Sequence, residues 1–234
     1  MSRIGRDRIA RGTQIERRRD GMAWCLSSIK VRMIKDATGQ DMTGQVERKI
    51  RAPRRVVTGH DESGRSIVIE DRDAPNVTLR TETGGIVSTL LWVTDQSPAS
   101  TSGRHDAADR KMGVPPPKMG SAFRVIEFPP TDPAMHHKPN VEILRDWGME
   151  GEALPGHPPR HPLVHRTRTI DYIVVLEGEI DMMLDEGEVH LRAGDTLIQR
   201  GTNHGWINRG TAPCRVAIIF IDADEPDEVR RAAQ

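Results

Sequence analysis

Two short stretches of the chain carry the side chains best suited to chemistry. The first contains His165, Thr167 and Asp171, and the second contains His204 and Asn208. Imidazole groups titrate near neutral pH, and imidazole and carboxylate groups both bind divalent metals. Side chains alternate between the two faces of a strand, so His165 and Thr167 are expected to point the same way. These two stretches are the first candidates for a reactive site.

Short apolar runs separated by tight turns surround both stretches. Their even spacing favours a jelly roll, in which many short strands pack as two sheets. A segment at 129–163, rich in Pro and Gly, interrupts this pattern and is typical of a lid or binding loop, with a short helix near residues 141–147. The expected strands cover residues 54–58, 66–70, 88–94, 121–128, 173–176, 180–184, 189–191, 196–200, 206–208 and 215–221.

The two stretches resemble the paired histidine motifs of the cupin family. In that family the first motif is G-x5-H-x-H-x3-E-x6-G, and the second is G-x5-P-x-G-x2-H-x3-N. The chain also differs from the pattern, because the second motif runs one residue short and the first is degenerate. The residues in or close to register are His165, Gly178, Gly194, Gly201, His204 and Asn208, and those that differ from the motifs are Pro159, Thr167, Asp171 and Gln199.

The resemblance implies an all-β fold, a cupin-type double-stranded β-helix (jelly roll) with an N-terminal β extension. We expect an arm at 1–50, the β extension and a linker at 51–120, the cupin barrel at 121–222 and a tail at 223–234. Seven Arg and few large apolar side chains lie within residues 1–20. Such a segment buries too little surface to order itself. We therefore expect a largely disordered arm, with a later start at Met22, Met33 or Met42 as the alternative.

The resemblance also places His165, Asp171 and His204 around one point inside the barrel. Two imidazoles and one carboxylate form the ligand set that suits non-haem Fe(II), and Mn, Ni, Co or Zn can use the same atoms. The open alternative is a barrel without metal, in which both histidines and Asp171 are hydrogen-bonded residues of the lumen.

Other residues near the motifs are candidates for substrate contacts. The hydroxyl of Thr167 is a poor metal ligand, so we expect it to hold a water or a substrate oxygen. Tyr172 and Trp206 flank motif positions, and their amphipathic rings suit the mouth of a pocket. Glu127 shares its strand face with Phe123, and that face is either the inner one or an exposed one. Asn208 is expected to form a turn and not to bind a ligand.

Composition narrows the range of partners. The 34 Lys and Arg balance 34 Asp and Glu, and aromatic residues make up only 3% of the chain, so we expect no nucleic acid partner. No apolar run approaches the ~20 residues of a membrane helix, so we expect no membrane partner. Two cysteines far apart in the chain favour a reduced, cytoplasmic protein. Since cupins usually pair, we also expect a homodimer.

These features together favour a metal-dependent enzyme acting on a small organic acid or phenol in the barrel lumen. Its divalent ion would be Fe, Mn, Ni or Zn, and its reaction an oxygenation, a decarboxylation or an isomerisation. The alternative is a non-catalytic cupin that binds a small molecule without metal. The sequence assigns no catalytic residue.

Overall fold

The computed structural model describes residues 50–149 and 159–232. Within them the chain forms an all-β fold with two short helices, as expected from the sequence. The strands are β1 (Arg54–His60), β2 (Ser66–Asp73), β3 (Val77–Arg80), β4 (Ile86–Thr94), β5 (Ser121–Phe128), β6 (Thr169–Glu177), β7 (Glu179–Leu184), β8 (Glu188–Arg192), β9 (Thr196–Arg200), β10 (His204–Ile207) and β11 (Cys214–Asp222), and the helices are α1 (Asn140–Asp146) and α2 (Asp227–Ala232).

Two antiparallel sheets share one apolar core. The larger sheet has the order β3-β4-β5-β11-β6-β9, and the smaller has the order β10-β7-β8. Alternation along β6 buries Ile173 and Val175, while Val174 and Leu176 point outward and are exposed. Each large apolar side chain that is fully buried contributes roughly 1.5–3 kcal/mol, so this alternation sets the inner face of the barrel.

The N-terminal β extension continues the larger sheet. β4 pairs with β5 along most of its length, and β3 adds to the outer side of β4. The β1–β2 hairpin is a separate two-stranded sheet, held by the buried Arg55, which pairs with Glu70 and Asp106. The division expected at residue 121 therefore does not coincide with an edge of the sheet.

The segments between the strands follow the sequence pattern in part. Residues 96–120 contain no strand, and a short helix lies at Asn140–Asp146. The expected disordered arm lies outside the described residues, except for Ile50, which is buried. Among the helices of the described part of the chain, none is both long and apolar enough to cross a membrane.

Gly178, a glycine of the first motif, is required by the turn between β6 and β7. Its φ is 77°, in the left-handed region that favours glycine. A Cβ atom at this position would lie 2.9 Å from the carbonyl oxygen of Pro213. The motif therefore keeps a glycine here for backbone reasons and not for chemistry.

Asn208 closes the turn after β10, as expected. Its buried side-chain Nδ2 donates to the carbonyl oxygens of Phe128, at 3.0 Å, and of Ala212, at 2.9 Å, and its Oδ1 accepts from the Gly210 amide at 2.9 Å. Both N–H groups of this amide are used by backbone carbonyls, which supports a structural role.

Replacing Asn208 with Ala is expected to lower the free energy of unfolding by about 2–4 kcal/mol. Three backbone groups would lose their partner at once, and an unsatisfied buried polar group costs ~1–3 kcal/mol. Urea unfolding measures the change. Asn203→Ala is the matched control, because Asn203 makes only long contacts of 3.3–3.4 Å with Asp185. Equal losses in the two variants would contradict the assignment.

Candidate functional site

His165 and His204 lie side by side at one end of the barrel. Their backbones form an isolated antiparallel bridge, with the two amides donating to the opposite carbonyls at 2.8 and 2.9 Å. Their rings lie on the same side, with centroids 4.2 Å apart. The bridge joins two distant parts of the sequence, so it is the backbone that places both imidazoles at one point.

The same nitrogen of each ring is fixed by a carbonyl. Nδ1 of His165 lies 2.8 Å from the Leu163 oxygen, and Nδ1 of His204 lies 3.0 Å from the Thr202 oxygen. A carbonyl only accepts, so each Nδ1 carries the proton and each Nε2 presents a lone pair. Burial lowers the pKa of His165 to about 4 and that of His204 well below its ordinary value. Both rings are therefore neutral at pH 7.

Asp171 projects inward from β6 beside Gln199 of β9. The two are cross-strand partners, and Gln199 Nε2 donates to Asp171 Oδ2 at 2.9 Å. The same Nε2 lies 3.2 Å from Nε2 of His204, so one amide bridges the carboxylate and the imidazole. Asp171 Oδ1 and Gln199 Oε1 are buried without a hydrogen-bond partner. Burial raises the pKa of Asp171 to about 7, which makes this carboxyl easy to protonate near neutral pH.

A small cavity connects these groups. The space open to the centres of water molecules inside it is about 50 Å³, enough for a few waters, each of which needs ~10–15 Å³. His165, Asp171 and His204 all line the cavity. The rest of the wall is mostly apolar, including Trp147 and Trp206. Polar contacts made in such apolar surroundings are stronger than the same contacts in bulk water.

Trp147 closes the cavity from the loop that precedes the first motif. Its ring packs edge-on against His165, with centroids 4.8 Å apart, and its Nε1 donates to Thr83 Oγ1 at 3.3 Å. Asn140 anchors α1 by donating to the carbonyl oxygens of Pro162 and Val164, both at 2.7 Å. The sequence indicates a lid here but does not single out Trp147, since its contacts are all distant in sequence.

The three expected substrate contacts fall in three different places. Trp206 lines the cavity, 5.9 Å from His204 between ring centroids. Thr167 is buried, but its hydroxyl is bonded to Thr169 Oγ1 at 2.6 Å, and it does not line the cavity. Tyr172 is 47% exposed on the outer face of β6, because its neighbour Asp171 takes the inner face. The side chain of Tyr172 therefore does not line this cavity, and its contact with a substrate at a pocket mouth stays a prediction.

The residues fit a divalent ion in chemistry but not in their present arrangement. Two imidazole lone pairs and a buried carboxylate with one oxygen unpaired are the donors that such an ion needs. In the described part of the chain, however, no three His, Cys, Asp or Glu side chains are placed to hold an ion as they stand. The Gln199 amide bridges two of the three donors, so an ion would have to replace its N–H groups there.

Comparison with known proteins points to one family. A family model for the cupin domain matches residues 152–221. The chain is 33% identical over 179 residues to the cupin-domain-containing oxidoreductase fogC of Aspergillus ruber, with 73% of each protein covered. It is 32% identical over 189 residues to phomopsin biosynthesis cluster protein D of Diaporthe leptostromiformis, covering 77% of this chain and 84% of that protein. A cupin-domain-containing oxidoreductase of Neurospora crassa, srdD, is 30% identical over 177 residues.

Proposed function

Because the chain belongs to the cupin family, we propose that it is an enzyme acting on a small organic molecule inside its barrel. In this proposal His165, Asp171 and His204 hold a divalent ion. The observation that carries it is the unpaired Oδ1 of Asp171, a buried acceptor in the wall of the cavity that both imidazoles also line. An unpaired buried acceptor is costly unless a ligand satisfies it.

An oxidoreductase is the reaction class we favour. Relatives of this chain are named as cupin-domain oxidoreductases, and two imidazoles with one carboxylate suit a non-haem iron that leaves sites open for O2. A bound ion would supply Lewis-acid or O2 chemistry. Decarboxylation and isomerisation remain as the other classes that this donor set supports.

The side chains of the site prepare the cavity for such chemistry. The carbonyls of Leu163 and Thr202 fix both imidazoles with Nε2 unprotonated. Trp147 packs against His165 and Trp206 against His204, which restricts the movement of both rings. Gln199 holds Asp171 and His204 in place when no ion is bound. The two imidazoles are thus oriented before any ligand enters, which reduces part of the cost of binding, although an ion must still displace the Gln199 amide.

A non-catalytic binding module without metal is the second candidate. The observation that favours it is the Gln199 amide, which satisfies Asp171 Oδ2 and His204 Nε2 with no ion present. In this case the cavity would accept a small molecule by shape and hydrogen bonding alone.

Metal loading separates the two candidates. The protein, stripped with EDTA, is incubated in turn with Fe(II), Mn(II), Ni(II) or Zn(II), desalted and analysed for metal. We expect one ion per chain for at least one metal. His190→Ala is the control for adventitious binding, because His190 pairs with Asp181 on the surface, at 2.7 Å. No retained ion, or an ion lost with His190, would replace the enzyme proposal with the binding module.

Ion affinity is expected to fall as the pH drops below about 7. The raised pKa of Asp171 means that below pH 7 the carboxyl is protonated in the free protein, so an ion must displace one proton. This lowers the affinity by up to about tenfold per pH unit, and the affinity levels off above pH 7. The histidines do not contribute to this pH dependence near neutrality, because their lowered pKa values keep both rings uncharged there. Zn(II) titrations between about pH 5.5 and 8.5 measure the slope, and a flat profile would contradict the role of Asp171.

A further inference from the structure

Arg124 is a buried cation inside the barrel without a carboxylate partner among the described residues. It shares the inner face of β5 with Ile126 and Phe128, which line the cavity, and only 3% of it is exposed. Its Nη1 donates to Ser88 Oγ at 3.2 Å and its Nη2 to the Gly113 carbonyl, while Nε has no partner. Buried charges are normally paired, so this guanidinium calls for an anion.

The positive charge of this region is not balanced by its neighbours. Burial, with a smaller effect of the nearby Arg80 cation, lowers the pKa of Arg124 to about 10, so it remains charged at pH 7. Arg80 meets one carboxylate, that of Asp146, at 3.5 Å. Two guanidinium groups therefore face one carboxylate here. The region is positively charged in an otherwise mostly apolar wall.

Two side chains of this region line the cavity, the charged Arg80 and the neutral Ser88. Ser88 also connects the cavity to Arg124 through a hydrogen bond. The Ser88 oxygen accepts from Arg124, so its O–H remains free to donate to a ligand. A carboxylate that accepted from Ser88 would also lie next to two cations. Charge-assisted hydrogen bonds of this kind are about twice as strong as neutral ones.

This positive region lies on the same inner face of the larger sheet as Asp171, two strands away. Arg124 is the β-partner of Ile218, which pairs with Ile173, the next inward residue after Asp171 on β6. Two strand spacings and two residues along the strand separate the Cα atoms of Arg124 and Asp171 by roughly 12 Å. Arg80 and Ser88 line the same small cavity as Asp171, so a small molecule bound there lies between these groups.

We propose that Arg80, Ser88 and Arg124 form an anion subsite that binds the carboxylate of a small organic acid, with the rest of that molecule directed toward His165, Asp171 and His204. The subsite itself does not depend on the proposed function. Only the orientation of the bound molecule toward His165, Asp171 and His204 rests on it. The substrate class is thereby narrowed to acids over phenols and neutral molecules. Arg80 and Ser88 contact the carboxylate, and Arg124 acts through Ser88.

Paired probes of equal size test the subsite. Formate is compared with formamide, and acetate with acetamide, by calorimetry and thermal shift on EDTA-stripped protein at constant ionic strength, because these probes suit a cavity with room for only a few waters. We expect each acid to bind about tenfold or more tightly than its amide, because a hydrogen bond to a charged group outweighs a neutral one. A ligand that binds only the folded state raises the melting temperature, and tighter binding at the same ligand concentration raises it more. The melting temperature therefore gives a second readout.

Ser88→Ala and Arg124→Met should both abolish the preference for the acid while leaving amide binding within about twofold. Arg124→Lys keeps the charge and should keep part of the preference. Arg215→Met is the matched control, since Arg215 is also buried but lies outside the cavity near Glu127. Ser88→Ala removes a single oxygen, so it tests the subsite even if Arg124→Met does not fold.

Two results would overturn the subsite. One is an equal affinity of the wild type for acid and amide, and the other is a preference that survives in Ser88→Ala and in every folded Arg124 variant. Metal content is measured on the same samples. A preference seen only with metal bound would mean that the ion, and not Arg124, holds the acid, which also overturns the subsite. A preference seen without any metal binding would support the subsite while the metal proposal fails.

Discussion

Asp171→Asn is expected to lose the bound ion while the chain stays folded. The change keeps the shape of the side chain and the oxygen that accepts from Gln199, but it removes the only negative charge that lines the cavity among the described residues. Two neutral imidazoles alone hold a divalent ion weakly in a site of low dielectric. We expect an affinity loss of about a hundredfold or more, since even indirect partners of a metal ligand are worth 10–100-fold.

Asp181→Asn provides the matched control for this experiment. Asp181 is also a carboxylate beside a histidine, but it pairs with His190 and Arg209 on the surface. Metal content after desalting and the urea midpoint are measured for both variants. The proposal predicts that only Asp171→Asn loses the ion. If Asp171→Asn retained it, the three-ligand assignment would be wrong.

Trp147→Ala is expected to have the largest effect on stability. The side chain joins the lid to the barrel through His165 and Thr83, and its removal leaves a large void over the imidazole. Substitutions of a buried Trp by Ala cost roughly 3–5 kcal/mol. The void also admits water to the histidines, so small-molecule binding should weaken in the same variant.

Two further variants serve as comparisons for Trp147→Ala: Val141→Ala as an exposed control and Trp147→Phe as a conservative substitution. Val141 lies on the same helix but is 58% exposed, so its loss should change the free energy of unfolding by less than about 0.5 kcal/mol. Trp147→Phe keeps most of the ring and should recover much of the stability. Urea unfolding followed by circular dichroism measures all three. A loss below about 1 kcal/mol for Trp147→Ala would show that the lid contributes little to the fold.

Local patterns predict most of the strands of this fold. Residues 121–128 and 196–200 match β5 and β9 at both ends, because turn residues and prolines bound each run. His165, Asp171 and His204, which the motif resemblance singles out, all line one cavity. Their joint binding of an ion stays a prediction.

The face of β5 illustrates what alternation alone cannot predict. Phe123 and Val125 are apolar and pack against Leu91 on the outer side of the sheet. Both faces of β5 are therefore covered by other residues. The alternation of apolar and polar side chains then no longer distinguishes the inner face of the strand from the outer one. The inner face belongs to the other set, which includes Arg124, so Glu127 does not point into the lumen.

Gln199 shows a different limit of sequence reasoning. It stands out as a departure from the second motif, but its partners Asp171 and His204 become visible only once β6 and β9 pair in register. An inward-facing amide opposite a carboxylate is the signal that could have found it. That signal needs the strand register, which the sequence does not supply.

The bridge made by Gln199 means that Asp171 Oδ2 and His204 Nε2 have a hydrogen-bond partner without any ion. In small zinc domains the ion holds the chain together, so its removal unfolds them. Here an amide takes over two of the three donor groups, and the core is built from apolar side chains elsewhere. An ion would therefore bind reversibly to a chain that is already folded. If the metal proposal holds, removal of the ion should therefore leave the chain folded, unlike in those zinc domains.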